Sequence, residues 1–206
     1  VKLLAATRSG EKQRELRRVL EPAGHEVVFP DDIGLYETSD EALLETADTF
    51  EENARRKAGH FLRRSGLPTL ADDSGLEVHG LGGAPGVRSR RWAGATGTAA
   101  EIDAANNAEL LRRLAGAPPE RRRARYRCVL VLLRAPSARP EVFEGSCVGT
   151  ILEAPRGAGG FGYDPYFLSD DLGVTFAEAS AGEKDAVSHR GRALQALLGV
   201  IGRRRD

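Results

Sequence analysis

Apolar runs of strand length alternate with helix-patterned stretches along most of this chain, and that alternation limits the fold more than any single motif does. Lys2–Thr7 is an apolar run ending in the polar turn Arg8-Ser9-Gly10. A helical pattern through Leu16, Val19 and Leu20 follows and stops near Pro22-Ala23-Gly24. His25–Phe29 reads as a second strand closed by Pro30-Asp31-Asp32. An acidic stretch, Glu37–Asp48, leads into a helix over Thr49–Arg64, ended by Gly66 and Pro68. Thr69–Val78 is a strand with Asp72-Asp73-Ser74-Gly75 embedded in it, followed by a Gly/Pro-rich loop from Gly80 to Gly97. A helix over Ala99–Leu114 and strands over Arg125–Arg134 and Val142–Leu152 come next. A glycine-rich turn at Gly157–Gly162, a loop and a helix over Ser188–Ile201 close the chain. This order predicts an α/β fold. The strands over Arg125–Arg134 and Val142–Leu152 are close enough for a hairpin, so the sheet should be mixed. No repeat or long linker divides the 206 residues, and a single domain over residues 1–206 is expected.

The charge balance narrows the function. Thirty Lys and Arg residues offset thirty Asp and Glu residues, so nothing favours a general nucleic-acid binder. No apolar run approaches the ~18 residues of a membrane span. Val1–Thr7 is too short for a signal peptide. Cys128 and Cys147 lack metal-site spacing and read as buried thiols in a reducing compartment. A cytoplasmic protein with no membrane or nucleic-acid partner is expected. Arg outnumbers Lys 26 to 4, and the arginines populate runs such as Arg121–Arg123 and Arg203–Arg205. The lysines are Lys2, Lys12, Lys57 and Lys184, so each invites a reason.

Four places could carry chemistry. On the Thr49–Arg64 helix, at ~100° per residue, Phe50, Ala54, Ala58 and Phe61 form the buried stripe. Asn53 and Lys57 share its inward side, whereas Glu51 and Glu52 point away. Lys57 is then either a cation aimed at a bound anion or a stem lying along the core with its head in water. Lys12 sits in the first turn of a helix entered through Thr7-Arg8-Ser9-Gly10, where free N–H groups suit phosphate, although Ser9 capping the helix explains the residues equally well. Asp72 and Asp73, adjacent on a strand, should face opposite ways and divide their work. One could hold Mg²⁺ or activate water while the other braces, with Glu45 as a second carboxylate; an Asx-type turn is the plainer alternative. Most of the acidic stretch reads as solvated surface. Gly157–Gly162 matches Gly-x-Gly-x-x-Gly by letter, but Tyr163-Asp164-Pro165 stands where a Rossmann helix would start. Phe161 and Asp164 read instead as an aromatic face and a carboxylate for a ligand, or as a buried tight loop. Lys184 with Ser188-His189-Arg190 forms a donor cluster near the start of the last helix, or ordinary helix-start polarity.

These pieces, in this order, resemble the inosine triphosphate pyrophosphatase family, the Ham-type enzymes that act on deaminated, non-standard purine nucleoside triphosphates. The resemblance runs through Ala6-Thr7 to Lys12, Thr49–Ala54 with Lys57-Ala58, Ala71–Leu76, Leu81–Gly86 with Ser89 and Arg91, Gly159–Pro165, Glu183-Lys184 and Ser188-His189-Arg190. It implies an elongated mixed β-sheet flanked by helices, with two lobes around a central cleft, usually as a homodimer. It implies that Thr7, Arg8, Ser9, Gly10, Glu11 and Lys12 bind the triphosphate, with charge from Lys57 and Lys184. Asp73 is the implied base or metal-linked residue, Glu45 helps it hold Mg²⁺, and Asn53 and Ser74 line the substrate. Phe161 is implied to stack on the purine, with Gly162, Tyr163, Asp164, Ser188, His189 and Arg190 about base and sugar. This chain has Arg8 and Ser9 where Gly and Asn are typical. The implied reaction hydrolyses ITP, dITP or XTP to the monophosphate and pyrophosphate. A Maf-type pyrophosphatase for modified pyrimidine nucleotides, or a catalytically silent nucleotide-binding module, is the alternative.

Overall fold

Six strands form one sheet in the order β2-β1-β3-β4-β5-β6. The structure is a computed structural model and describes residues 1–202, so the Arg203–Arg205 run lies outside the described residues. The elements are β1 (Lys2–Ala5), α1 (Gly10–Leu20), β2 (Glu26–Val28), α2 (Phe50–Ser65), β3 (Thr69–Val78), α3 (Ala99–Arg113), β4 (Arg123–Leu133), β5 (Glu141–Ile151), β6 (Phe167–Ser169), α4 (Ala181–Val187) and α5 (His189–Ile201). β1 runs parallel to β2 and β3, while β5 and β6 are antiparallel, so the sheet is mixed as expected. The parallel pairs need helical crossovers, which α1 and α2 supply. The Gly80–Gly97 stretch, read as a loop, overlaps the 3-10 turn His79–Leu81 and contains the 3-10 turn Gly86–Arg91.

Two compact units share the chain. Unit 1 comprises Val1–Asp73, Cys128–Gly145 and the chain from Arg190; unit 2 comprises Ser74–Arg127 and Ser146–His189. β3 therefore gives Thr69–Asp73 to unit 1 and Ser74–Val78 to unit 2. In unit 1, Leu3, Ala5, Leu16, Leu20, Val27 and Phe29 pack with Leu130, Leu132, Leu194 and Leu197. In unit 2, Leu76, Val78, Leu110 and Leu114 pack with Tyr126, Ile151, Phe167 and Phe176. Burying such side chains contributes about 1.5–3 kcal/mol each and dominates each core. Both cysteines are free and buried, as read from the sequence.

Local chemistry sets the helix ends. Thr49 caps α2 by accepting from the Glu52 N–H at 3.2 Å, and Gly66 ends it at φ +70°, a conformation that favours glycine. Ser9 caps α1, its hydroxyl accepting from the Lys12 N–H at 3.4 Å. The closing region holds two elements that the sequence reading ran together as loop: β6 and α4. α4 has a capping box, Ser180 with Glu183, which is the Ser-x-x-Glu signal for a helix start. Among the described residues, no helix is long and apolar enough to cross a membrane.

Candidate active site

The site residues expected from the sequence fall into two groups, one in each unit. In unit 1, β3 emerges from its apolar first half to present Asp72 and Asp73, both buried. They divide as alternation along a strand requires. Asp72 meets Lys12 Nζ at 2.8 Å and Arg190 at 3.2 Å, while Asp73 accepts from Asn53 Nδ2 at 2.8 Å. Lys57 points inward on α2 as the helical wheel placed it, and its ammonium meets Glu45 at 2.6 Å. Its side chain is only 8 % exposed, so it does not reach for solvent.

The electrostatics separate the carboxylates. Burial pushes Asp73's carboxyl up; Lys57 pulls it down, Glu45 pushes it up again, and the net displacement is upward. Burial also opposes ionisation of Asp72, but Lys12, Arg190 and Lys57 outweigh it and hold this carboxyl far below the usual range. Lys57 draws Glu45 down to about 2 despite burial. Burial lowers Lys57 itself, yet Glu45, Asp72 and Asp73 together raise it above an ordinary lysine. Asp72 is thus held as a counter-charge, whereas Asp73 binds a proton more readily than an ordinary aspartate does.

The entry turn is organised by its own side chains. Thr7 Oγ1 accepts from the Ser9 N–H, and Glu11's carboxylate accepts from the Ser9 hydroxyl at 3.0 Å. Gly10 opens α1. Arg8, which the resemblance places among the phosphate ligands, is committed elsewhere: its guanidinium donates to Glu41 at 2.8 and 2.9 Å, to Asp31, and to the Leu35 carbonyl. Glu41's side chain is 10 % exposed, an exception within the mostly solvated acidic stretch. Arg190, assigned by the same resemblance to base or sugar, is fully buried and gives its guanidinium to Glu15 and Asp72.

Unit 2 is built on a loop. Ser74, the first residue of the unit, is half-buried on β3. No helix follows Gly157–Gly162, so the dinucleotide-binding alternative is ruled out by geometry. Asp164 is buried and ties the turn: it accepts from the Phe161 N–H at 2.9 Å and from Lys184 Nζ at 2.6 Å. Gly160, at φ +71°, leaves room for that carboxylate, where a Cβ would collide with it. Lys184 Nζ lies 4.6 Å from the Phe161 ring centroid. His189 stacks on Tyr126 at 4.6 Å and 8° between planes, and the Ser188 N–H donates to the Lys184 carbonyl as α4 ends. The Tyr163 hydroxyl donates to the Ser89 carbonyl, and Gly162 is held by Asp103 and Asn107 of α3 at 2.8 and 2.9 Å. Lys184 therefore belongs with the aromatic loop of unit 2, whereas Lys12 and Lys57 belong with the carboxylates of unit 1.

Glu15, Glu41, Asp103 and Tyr126 escaped the sequence reading. Glu15 had a local signal, because three residues after Lys12 places it on the same helical face. Glu41 was one acid among many.

The donor set can be tested against a metal. Among the described residues, no three His, Cys, Asp or Glu side chains cluster as a ready cation cage. Mg²⁺ is usually held by one or two carboxylates together with substrate phosphate. Asp73, whose proton affinity the charge of Glu45 raises, and Glu45 itself are two carboxylates of the kind that requirement calls for.

Known proteins resemble this chain over nearly its whole length. The chain is 48% identical over 198 residues to a dITP/XTP pyrophosphatase from Ralstonia nicotianae, covering 96% of this chain and 94% of that one. It is 50% identical over 195 residues to a protein of the same name from Syntrophobacter fumaroxidans, covering 95% of this chain and 79% of the relative. The solved structure of a HAM1 protein from Coxiella burnetii superposes with a TM-score of 0.85 at 35% identity, covering 98% of this chain and 99% of that one. The Ham1 family model matches residues 3–200, which takes in most of unit 1 and all of unit 2, and the chain belongs to the Ham1 family.

Proposed function

We propose that this chain hydrolyses deaminated purine nucleoside triphosphates (dITP, ITP and XTP) to the nucleoside monophosphate and pyrophosphate, clearing them from the cytoplasmic nucleotide pool. The observation that carries the reading is the buried pairing of Asp73 and Asn53 beside Lys57 and Glu45. The names of the relatives support the same chemistry and favour it over the Maf-type and silent-module alternatives.

In unit 1, Lys12, Lys57 and the first-turn N–H groups of α1 take the triphosphate, whose charge grows on the leaving pyrophosphate. Thr7, Ser9 and Gly10 shape that turn, and Glu11 stays bonded to Ser9. Asp73, with its carboxyl raised, accepts the proton of the water that attacks the α-phosphorus, and Asn53 holds it in orientation. Water's oxygen joins the α-phosphorus as the bond to the bridging oxygen breaks, and pyrophosphate leaves. Glu45 and Asp73 would hold Mg²⁺ arriving with the substrate, which supplies Lewis-acid charge to the phosphate oxygens when bound. Asp72 and Arg190 act as framework.

In unit 2, Phe161 gives the purine a face to stack on. Lys184, whose ammonium donates to Asp164, serves with Ser188 and His189 the 6-oxo group and sugar. A donor facing the 6-position donates to an oxo group but meets adenine's amino group donor to donor, which can reject it by ~10⁴. A homodimer is the assembly proposed. Pyrophosphate release from ITP, dITP and XTP with Mg²⁺, against ATP and dUTP, tests the reading. Release from the three deaminated substrates alone is expected; equal turnover of ATP or dUTP contradicts it.

A further inference from the structure

The residues that hold Glu45 in place form a pattern of their own. Going down α2 from its C-terminal end, Arg64 donates to the Tyr36 carbonyl and to Glu41, both at 2.8 Å. His60 faces Asp40 at 3.5 Å, Lys57 meets Glu45 at 2.6 Å, and Arg56 reaches the Thr46 hydroxyl at 3.3 Å. Asn53 then accepts from the Ala47 N–H at 2.8 Å. As the helix position falls from 64 to 53, the partner climbs from 36 to 47. The segment 36–47 is therefore a strap lying antiparallel along α2, fastened rung by rung.

Its upper end has a second fastening that does not come from α2. Arg8 grips both oxygens of Glu41 and also holds the Leu35 carbonyl, and its guanidinium lies 5.9 Å from the Phe61 ring centroid. A planar fork on a carboxylate fixes orientation as well as distance. Neighbouring Asp40 is 62 % exposed and Glu41 only 10 %, which marks Glu41 as the anchor. The Leu44 N–H donates to the Glu41 carbonyl, so the anchor passes by one backbone turn to the residue before Glu45.

We propose that Arg8 is a positioning residue: through Glu41 it latches the strap that presents Glu45 to Lys57 and to the metal of the reaction. This rests on the reading of Glu45 as a metal-linked carboxylate. It gives a role to the residue that stands where the family's phosphate turn usually has glycine. Arg8 contributes by fixing a carboxylate 37 positions away, with no contact to phosphate itself. Partners that orient a metal-linked carboxylate typically govern 10–100-fold in metal affinity.

Mn²⁺ titrated by electron paramagnetic resonance into the full chain, with a non-hydrolysable ITP analogue bound, reads the metal; hydrogen exchange at residues 44–47 reads the strap. Arg8→Ala and Glu41→Gln should each weaken Mn²⁺ binding about 10-fold and speed exchange at 44–47, with thermal midpoints close to wild type. The double variant should be no worse than either single change, and Arg8→Lys, which keeps charge but loses the fork, should fall between. Unchanged exchange at 44–47 in Arg8→Ala overturns the latch. So does weaker binding of the metal-free analogue in Arg8→Ala but not in Glu41→Gln, since Arg8 would then touch phosphate. If Glu45→Gln leaves Mn²⁺ affinity unchanged while Arg8→Ala still loosens 44–47, the metal reading of Glu45 fails and the latch stands.

Discussion

The two units solve different problems with different materials. Unit 1 concentrates charge: Asp72, Asp73, Lys57 and Arg190 are all buried, and each is answered by an opposite charge or an amide. Unit 2 concentrates rings and backbone bonds: Tyr126 stacks with Phe176 and His189 and meets Phe167 at a tilt, while Asp164 and Asp103 accept from backbone N–H groups of a glycine turn. The contrast fits a substrate with a highly charged end and a flat, weakly polar end. Charge can be held in a buried site only when it is paired. A purine needs a stacking face and a few fixed donors.

The sharpest way to break this contrast is at Asp73. Asp73→Asn should lower kcat by about 10³-fold or more while leaving KM for ITP within a few-fold, because the proton acceptor is lost and the lysines remain. Steady-state pyrophosphate release checks it. Next in size is Arg190→Ala, which strands Glu15 and Asp72 without their shared cation. It should cost on the order of 3–5 kcal/mol in urea unfolding. A variant of unchanged stability with a raised KM would instead give Arg190 a substrate contact. In unit 2, Phe161→Ala should raise KM for ITP about 10-fold with kcat retained, the scale of a lost base stack.

The smallest effect is in pH. Glu45, lowered to about 2, and Asp72, also lowered, stabilise unit 1 above the unfolded carboxylate pKa of ~4. Glu45's contribution is lost as pH falls through about 2, and that of Asp72 at still lower pH. Tyr126 and Tyr163 of unit 2 are raised by burial, so their contribution is complete below the unfolded phenol pKa of ~10 and is lost as pH climbs beyond it. Hydrogen exchange of the metal-free chain should show unit 1 loosening first in acid. Thermal melts followed by Trp92 fluorescence, a unit 2 probe, should fall as pH climbs beyond ~10.

The fold was legible where signals are local. β3 runs from Thr69 to Val78 as its apolar pattern and flanking turns required, and α2 starts after Thr49 and stops at Gly66. The opposed duties of Asp72 and Asp73 followed from strand alternation alone. β6 and α4 were lost because three and seven residues are too few for a period to show, although the capping box of α4 was readable. The roles of Arg8 and Arg190 were not legible in principle. Arg8's partner Glu41 lies 33 positions away, and Arg190's partners Glu15 and Asp72 lie 175 and 118 positions away. A motif reports that an arginine is present near a site; only the fold decides whether its fork meets a carboxylate of the protein or an oxygen of the substrate.

The central claim is that one chain uses a charged unit to cleave between the α- and β-phosphates of a deaminated purine nucleotide. ³¹P NMR of ITP turning over with the wild-type chain and Mg²⁺ tests it most directly. IMP and inorganic pyrophosphate should appear together in equal amounts, with no IDP at any time. IDP and inorganic phosphate, or no turnover at all, would contradict it.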